Sequence, residues 1–146
     1  MSKGFKLRKI IQKDSKFLLE WRNKYRDFFI ITDEVSLSQH EEYIKKTIND
    51  SNRTQYMLEY NNIKFGTIRE DIIGDNEFEL SYTVNPNHQS KGIGKIMIEL
   101  YLSTRKGSFL CRIKEKNYAS IKLIEKIGFK ILKSENKINF YTLTKF

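Results

Sequence analysis

Cysteine and proline are almost missing from this chain of 146 residues, which has one of each, and no apolar run is long enough to cross a bilayer. The single cysteine, Cys111, excludes an internal disulfide and any metal site built from several cysteines. Its apolar neighbours predict a core position. The most apolar stretch, 96–102, contains Glu99, whereas a membrane span needs about 18 apolar residues. Because residues 1–8 alternate charged and apolar side chains, we expect no secretory signal, no membrane contact and a cytoplasmic location.

Linker composition is also missing, since the chain has one proline, Pro86, and no stretch rich in glycine or serine. Hydrophobic residues make up 39% of the chain and aromatic residues 13%. A domain of this size buries roughly 68–70% of its unfolded surface. We therefore expect one domain over residues 1–146 with its own core.

Positive charge is in excess, with 27 Lys and Arg against 18 Asp and Glu and a formal net charge of +9. This balance favours anionic partners, which include nucleic acids, acidic membranes and phosphorylated small molecules. The basic residues are interleaved with acidic ones rather than gathered in an arm or tail. Nucleic acid is therefore an unlikely partner, and an anionic small molecule suits the charge better.

The hydrophobic pattern predicts an α/β protein with a sheet of mixed direction. The expected elements, in order, are a strand at 5–10, a helix beginning at Asp14 or Ser15, a helix with a Ser38–Glu41 capping box that ends near Asn49, strands at 55–60, 63–72 and 77–84, a helix from Ile93, a strand at 108–113, a helix from Asn117 or Ser120 to Gly128, and strands at 129–132 and 138–143. The Asn61-Asn62 pair predicts a two-residue hairpin turn.

Two glycines, Gly92 and Gly94, stand between the strand at 77–84 and the helix from Ile93. Glycine lets the backbone approach a ligand, and the free N–H groups of a first helical turn bind anions. Lys91 and Lys95 could add charge pairing to this site. The alternative is that both glycines only permit a tight connection. The spacing matches neither the Walker pattern nor the three-glycine dinucleotide pattern, which disfavours nucleoside triphosphates and nicotinamide cofactors.

Four segments of the sequence together resemble the GNAT superfamily of N-acetyltransferases. They are the strand ELSYTVNP at 79–86, the turn QSKGIG at 89–94, the helix start NYAS at 117–120 and the ending EKIGF at 125–129. The resemblance extends over essentially the whole chain. It implies the GNAT fold, with a sheet of about seven strands, about four helices, and a splay between the fourth and fifth strands.

The resemblance also implies acetyl-coenzyme A as co-substrate, bound in that splay without a metal. The backbone of Tyr82, Thr83 and Val84 would pair with the pantetheine, as an added strand would. The pyrophosphate would lie on the turn formed by Gln89, Ser90, Lys91, Gly92, Ile93, Gly94 and Lys95. Asn117 would hydrogen-bond the cofactor, with Ser120 as a weaker candidate, and Asn117 can equally be an ordinary N-cap.

Amine acetylation needs a base, a polarised thioester and a proton for the departing thiolate. The resemblance places a general base at Glu79, with Glu77 in reserve, and the thioester carbonyl on the Val84 N–H. Relatives often carry a proton-donating tyrosine seven residues after the helix-opening Asn, where this chain has Ile124. Tyr118 and Tyr82 are the available substitutes.

Segments 20–23, 38–43 and 66–69 more loosely resemble the subgroup that acetylates nucleotide-linked amino sugars. That likeness suggests Trp21, Arg22 and Arg69 as substrate-binding residues, with Arg22 on a phosphate and Trp21 or Tyr43 stacked on a base or sugar. We expect His40 to be a surface helix residue and His88 a turn residue. The positive charge disfavours spermidine as acceptor. The alternatives are a protein or ribosomal-protein acetyltransferase, or a regulator that binds acyl-CoA or RNA without turnover, and a homodimer is possible.

Overall fold

Seven strands form one mixed sheet in the computed structural model, which describes residues 3–30 and 33–146. The strands and the four α-helices of these ranges are β1 (Lys6–Lys9), α1 (Ser15–Lys24), α2 (Leu37–Asn49), β2 (Arg53–Tyr60), β3 (Ile63–Gly74), β4 (Glu77–Val84), α3 (Ile93–Leu102), β5 (Gly107–Lys114), α4 (Tyr118–Ile127), β6 (Lys130–Glu135) and β7 (Ile138–Lys145). The order across the sheet is β1-β2-β3-β4-β5-β7-β6. The β4–β5 pair is parallel and the other neighbours are antiparallel, which confirms the predicted mixed α/β fold.

Local sequence signals set several of these boundaries. Asn61 and Asn62 both adopt positive φ, 50° and 63°, and connect β2 to β3 as the hairpin turn that their sequence predicts. Helix α4 ends at Gly128, whose φ is 122°, as expected. The capping box of α2 was wrongly predicted, because Ser36 caps the helix and pairs reciprocally with Gln39. Ser36 is two residues earlier than the predicted Ser38, and the S-x-x-Q pattern serves the cap as well as S-x-x-E does.

Apolar side chains pack on both faces of the sheet. Helices α3 and α4 cover one face with a large cluster that includes Met97, Phe109 and Ile124, each fully buried. Helices α1 and α2 cover the other face with a smaller cluster of Ile10, Leu18, Trp21, Ile44 and Met57. Cys111 lies in the large cluster with 1% of its surface exposed, which confirms its predicted core position.

Within the described ranges, no helix combines the length and the apolar character that crossing a membrane requires. The same part of the chain contains no group of three or more His, Cys, Asp and Glu arranged to hold a metal ion.

Candidate active site

Strands β4 and β5 are paired over only three positions, Glu77↔Ser108, Phe78↔Phe109 and Glu79↔Leu110. Beyond these positions β4 remains paired with β3 up to Val84, and β5 remains paired with β7 up to Lys114. Residues 80–84 (the β4 arm) and 111–114 (the β5 arm) therefore diverge, with no ladder between them. The backbone groups on the facing edges of both arms are available to an extended ligand, as at any open strand edge.

The β4 arm leads into an exposed turn at residues 89–92. Gly92 has a φ of 75° and is the N-cap of α3, but it has no side chain to cap the first turn. By contrast, Ser36 caps α2 and Asn117 caps α4. A β-carbon at Gly92 would meet nothing within 4 Å. The open N-terminus of α3 therefore has the space and the free N–H dipoles that a phosphate needs.

Two lysines flank this turn, with Lys91 exposed and Lys95 partly buried. Neither ammonium forms an ion pair with a carboxylate of the described residues. Both positive charges thus add to the helix dipole at the anion-binding end of the gap.

The second glycine of the turn, Gly94, has a different role. A β-carbon there would lie 2.6 Å from Cδ2 of Leu123 on α4 and 3.6 Å from Val84. Gly94 thus lets α3 and α4 pack closely, a role that differs from the tight strand-to-helix connection considered as the alternative for the two glycines. Ile93 is 5% exposed and packs in the core, so only its backbone could contact a ligand.

At the start of α4, Asn117 Oδ1 accepts a hydrogen bond from the Ser120 N–H at 3.3 Å, so Asn117 is the N-cap of this helix. The Ser120 hydroxyl is hydrogen-bonded to the hydroxyl of Tyr82 on the β4 arm. This bond joins the β4 arm to the helix that follows the β5 arm, on the α3–α4 face of the gap. Burial raises the pKa of Tyr82, so its phenol stays protonated at neutral pH.

Glu79 stands at the last paired position before the arms diverge. Its Oε2 accepts a hydrogen bond from Nε of Arg112 on the β5 arm at 2.5 Å, while no described residue donates to Oε1. The Glu79 side chain is 16% exposed and that of Arg112 is 37% exposed. Glu77, the reserve candidate, is two positions further into the paired region, on the closed side of the divergence.

The Val84 N–H, the predicted donor to the thioester carbonyl, lies at the opposite end of β4 from most of the β4–β5 ladder that ends at Glu79. The two residues are five apart on β4, which is roughly 16 Å at ~3.3 Å per residue. A glutamate side chain alone does not span that distance, so a base at Glu79 would serve a thioester on the Val84 N–H through water, the indirect route of the prediction. Backbone groups of Leu80 to Tyr82 are closer to the carboxylate.

The two tyrosines proposed to replace a donor at position 124 differ in setting. Ile124 itself is fully buried in the large core cluster. Tyr118, the first residue of α4, is 74% exposed, whereas the Tyr82 hydroxyl is already bonded to Ser120. Tyr118 is therefore free to move toward a bound ligand, and Tyr82 is held in place.

Polar side chains of β2, β3 and α2 form a cluster on the α1–α2 face of the sheet. Arg69 donates to the Tyr43 hydroxyl at 2.7 Å, to Asp71 at 3.1 Å and to Ser81 of the β4 arm at 3.4 Å. Arg53 shares both Asp71, at 2.5 Å, and the Tyr43 hydroxyl, at 3.3 Å. Two guanidinium groups thus share the Asp71 carboxylate beside the gap, and Arg53 also interacts with the Asp50 carboxylate.

The other predicted substrate-binding residues lie on or near α1. Arg22 donates to the Asp33 carbonyl at 2.9 Å and lies 5.4 Å from the centre of the Phe29 ring, so it contacts the segment that joins α1 to α2. Trp21 is 3% exposed in the small core cluster, so its ring cannot stack on a substrate. Trp21 is buried because it lies on the apolar stripe of α1, which faces the core.

His40 was wrongly predicted to be a surface residue. It is 5% exposed, and its Nδ1 lies 3.0 Å from the hydroxyl of buried Ser15. Burial and nearby Arg22 lower the pKa of His40 to about 4. His88, by contrast, ends the short 3-10 turn Pro86–His88, in agreement with its predicted turn position.

Sequence reasoning did not identify the two cations of the β5 arm. Arg112 contacts Glu79, and Lys114 donates to the Asp27 carbonyl at 2.9 Å, both on the α1–α2 face of the sheet. The sequence does show that apolar residues 109, 111 and 113 alternate with the basic residues 112 and 114, which predicts that both basic side chains lie on one face of the strand. Only the parallel register with β4, however, shows that this basic face borders the gap.

Residues 5–130 match the sequence profile of the Acetyltransferase (GNAT) domain family. No curated protein gives a significant sequence match.

The fold is similar to several solved structures. A domain from Methanocaldococcus jannaschii DSM 2661 is 25% identical, with 96% of this chain and 97% of that one covered and a TM-score of 0.81. Spermidine N-acetyltransferase from Vibrio cholerae, solved with CoA and spermine, is 17% identical over 97% and 96% of the two chains, with a TM-score of 0.85. The ribosomal L7/L12 alpha-N-protein acetyltransferase RimL, solved with coenzyme A, is 13% identical over 98% and 95%, with a TM-score of 0.80. At the last two identities the likeness is one of fold alone.

Proposed function

The chain belongs to the GNAT acetyltransferase family, and we propose that it transfers the acetyl group of acetyl-coenzyme A to a primary amine of a small, negatively charged acceptor. The observation that supports this proposal most directly is the divergence of β4 from β5 after only three paired positions, next to the uncapped N-terminus of α3. An extended chain can pair with the β4 arm while its phosphates meet the turn at residues 89–92. Acetyl-coenzyme A, the acetyl donor of the family, has this shape and charge.

The residues of the turn fit the donor's pyrophosphate. The backbone N–H groups of Ile93 and Gly94 open α3, and Lys91 and Lys95 are next to these residues in the sequence. Gln89 and Ser90 are exposed on the approach to the helix. Backbone groups of Tyr82, Thr83 and Val84 would hold the pantetheine, and Asn117 and Ser120 border the gap from α4.

Acetyl-coenzyme A supplies a thioester whose carbonyl is attacked by the amine. The protein must bind that amine neutral, take up its proton and return one to the thiolate. Glu79 at the apex of the gap is our candidate base, through Oε1, directly or through water. Exposed Tyr118 is the candidate proton donor, with buried Tyr82 as the alternative.

We place the acceptor on the α1–α2 face of the gap, where the basic side chains favour an anionic acceptor. Arg53 and Arg69 share one carboxylate, Asp71, and Lys114 is bound only to a backbone carbonyl among the described residues. Opposite charges attract during approach, and a guanidinium matches a phosphate. A nucleotide-linked amino sugar has both the amine and the phosphates, and Arg69 and Arg22 are the residues we propose to contact it.

Two other acceptor classes are those of the similar enzymes, spermidine and a ribosomal-protein N-terminus. A polyamine is cationic and would meet like charge at Arg69, Arg53 and Lys114. A protein N-terminus is compatible with a basic surface when the partner is acidic. Homodimer formation is also part of this proposal.

Calorimetric titration with acetyl-coenzyme A tests the donor site. We expect low-micromolar binding by the wild type, little change for Gly92→Ala, and loss of binding for Gly92→Glu. The β-carbon at this position points into open space, so Gly92→Ala adds only backbone strain, whereas Gly92→Glu places a carboxylate where phosphate would lie. Absence of binding by the wild type would contradict the proposal.

Release of free thiol in the presence of candidate amines then tests the acceptor. The panel contains a UDP-linked amino sugar, spermidine and a short peptide with a free N-terminus. We expect the first to give the highest kcat/KM. A clear preference for spermidine or the peptide would reassign the acceptor, and binding of acetyl-coenzyme A without thiol release for any amine would indicate a binding protein without turnover.

A further inference from the structure

The Glu79–Arg112 ion pair is the last side-chain bridge between β4 and β5 before the arms diverge on the α1–α2 face. Glu79 is paired with Leu110 in the parallel register. Arg112 lies two residues after Leu110 on the same face of β5, and its side chain extends diagonally to Glu79. On its other side Arg112 is held by the register of β5 with β7, opposite Phe140. The backbone of Arg112 is thus held by the β5–β7 ladder, as the backbone of Glu79 is held by the β3–β4 ladder.

The pair is also asymmetric. Arg112 Nε donates to Oε2 at 2.5 Å, and Oε1 accepts no hydrogen bond from the described residues. A charge-assisted bond to one oxygen restricts the rotation of the Glu79 carboxylate and leaves its second oxygen without a donor among the described residues. Without Arg112, a glutamate at the open end of a strand pair would be free to rotate among its rotamers.

We propose that Arg112 is a positioning residue for the acetyl-transfer reaction, which holds Glu79 so that Oε1 is presented to the incoming amine. This inference rests on the proposed role of Glu79 as base. Proton abstraction depends on the base being within hydrogen-bond reach of the amine, so a loss of orientation lowers the turnover rate more than it lowers binding. The alternative is that Arg112 binds an anionic group of the acceptor directly.

Rates of thiol release with acetyl-coenzyme A and the most active amine of the panel separate these roles. We expect Glu79→Gln to lower kcat by roughly 100-fold or more. Arg112→Ala should lower kcat by roughly 10- to 100-fold, the range found when a group that orients a functional ligand is removed. The Kd of acetyl-coenzyme A should change less than about twofold, since Arg112 contacts the base and not the phosphate turn.

Two further results are expected only if Arg112 acts by positioning Glu79. The double variant Glu79→Gln, Arg112→Ala should be no slower than Glu79→Gln alone, because Arg112 has no base left to orient. Arg112→Lys, or guanidinium ion added to Arg112→Ala, should recover part of the lost kcat. Lys133→Ala, which removes an exposed ion pair with Glu135 on edge strand β6, serves as the control and should match the wild type.

Each contrary outcome has a distinct meaning. If Arg112→Ala lowered kcat in the Glu79→Gln background by the same factor as in the wild type, and also raised the KM for the acceptor, positioning would be overturned and Arg112 would be assigned to acceptor binding. A wild-type rate for Arg112→Ala would overturn it as well. If Glu79→Gln kept full activity, or no amine supported thiol release, the proposed function of Glu79 would fail and the inference with it. The thermal midpoint of each variant shows whether it is folded.

Discussion

Leu123 of α4 fills the space that a β-carbon on Gly94 of α3 would need. The distance from the ideal β-carbon position to Leu123 Cδ2 is 2.6 Å, too short for two carbon atoms. Gly92, two residues earlier, has open space at the same position. The two glycines therefore have different roles, Gly94 in helix packing and Gly92 in the left-handed backbone at the open N-terminus of α3.

Gly94→Ala should destabilise the protein by roughly 1–2 kcal/mol, because Leu123 must shift to accept the methyl group. The partly buried leucine can yield in part, which limits the cost. The measurement is urea unfolding, and the matched variant is Gly94→Ala combined with Leu123→Ala. If removing the leucine side chain does not reduce the cost of the alanine at 94, the contact is not its cause.

Tyr82→Phe and Ser120→Ala should show coupled effects on stability. Each single change leaves one hydroxyl of a partly buried pair without its partner, at about 1–2 kcal/mol. The double change should cost less than the sum of the two, by about 1 kcal/mol in a double-mutant cycle of unfolding free energies. Additive costs would mean that the two hydroxyls do not depend on each other in solution.

Stability should fall between pH 6.5 and about 4 because of His40. The pKa of the folded state, about 4, is below the ordinary value of 6.5, so in this window the unfolded chain binds a proton that the folded protein does not. The loss amounts to about 2 kcal/mol at pH 5, from 1.36 kcal/mol per unit of pKa shift. Urea unfolding at pH 7.5 and 5.0 measures it, and His40→Gln should be less sensitive to pH. Equal sensitivity would assign the acid loss to other groups.

Asp14→Asn should destabilise the protein strongly. Asp14 is 1% exposed and accepts hydrogen bonds from Arg8 at 2.8 and 2.9 Å and from the Ile11 N–H at 2.8 Å. Burial alone raises the pKa of Asp14, but these bonds outweigh it and hold the pKa below its usual range. Its stabilisation is therefore present above the ordinary aspartate pKa and is lost as pH falls through the lower folded value.

The expected cost of Asp14→Asn is about 2–3 kcal/mol, since the charge-assisted hydrogen bonds that the buried carboxylate accepts from Arg8 are weakened or lost, while Arg8 keeps its pair with Glu59. Glu59→Gln, which removes the more exposed partner of the same Arg8, should cost below about 1 kcal/mol. Chemical unfolding at pH 7 compares the two variants. Equal costs would show that burial of Asp14 does not set the strength of this network.

Tyr118→Phe should lower kcat with little effect on the Kd of acetyl-coenzyme A, if the exposed phenol moves onto the departing thiolate. A fall of roughly 100-fold is the scale of proton-transfer catalysis. Thiol-release kinetics measure the rate, and Tyr82→Phe provides the comparison. An unchanged kcat for Tyr118→Phe together with a lower one for Tyr82→Phe would move the role to the buried tyrosine.

Much of the fold was predictable because its signals are local. The Asn61-Asn62 turn, the Asn117 cap and the Gly128 end of α4 each depend on a residue's own backbone preference. Strand β4 was predicted with its observed bounds, Glu77–Val84. Errors arose where two similar local signals compete, as at Ser36 and Ser38, or where a helix has polar residues on its buried side, as at His40.

The sequence by itself determined the order of the elements and the placement of Gly92 and Gly94 before α3, since periodicity, capping and glycine placement act over a few neighbouring residues, and four of its segments carried the resemblance to the family. Only the tertiary structure decided which side chains meet at the gap. The Glu79–Arg112 pair joins residues 33 positions apart and the Tyr82–Ser120 pair residues 38 positions apart. Such contacts depend on strand register and helix packing, which a local pattern does not specify. For the same reason, the tertiary structure separated the packing role of Gly94 from the open position of Gly92.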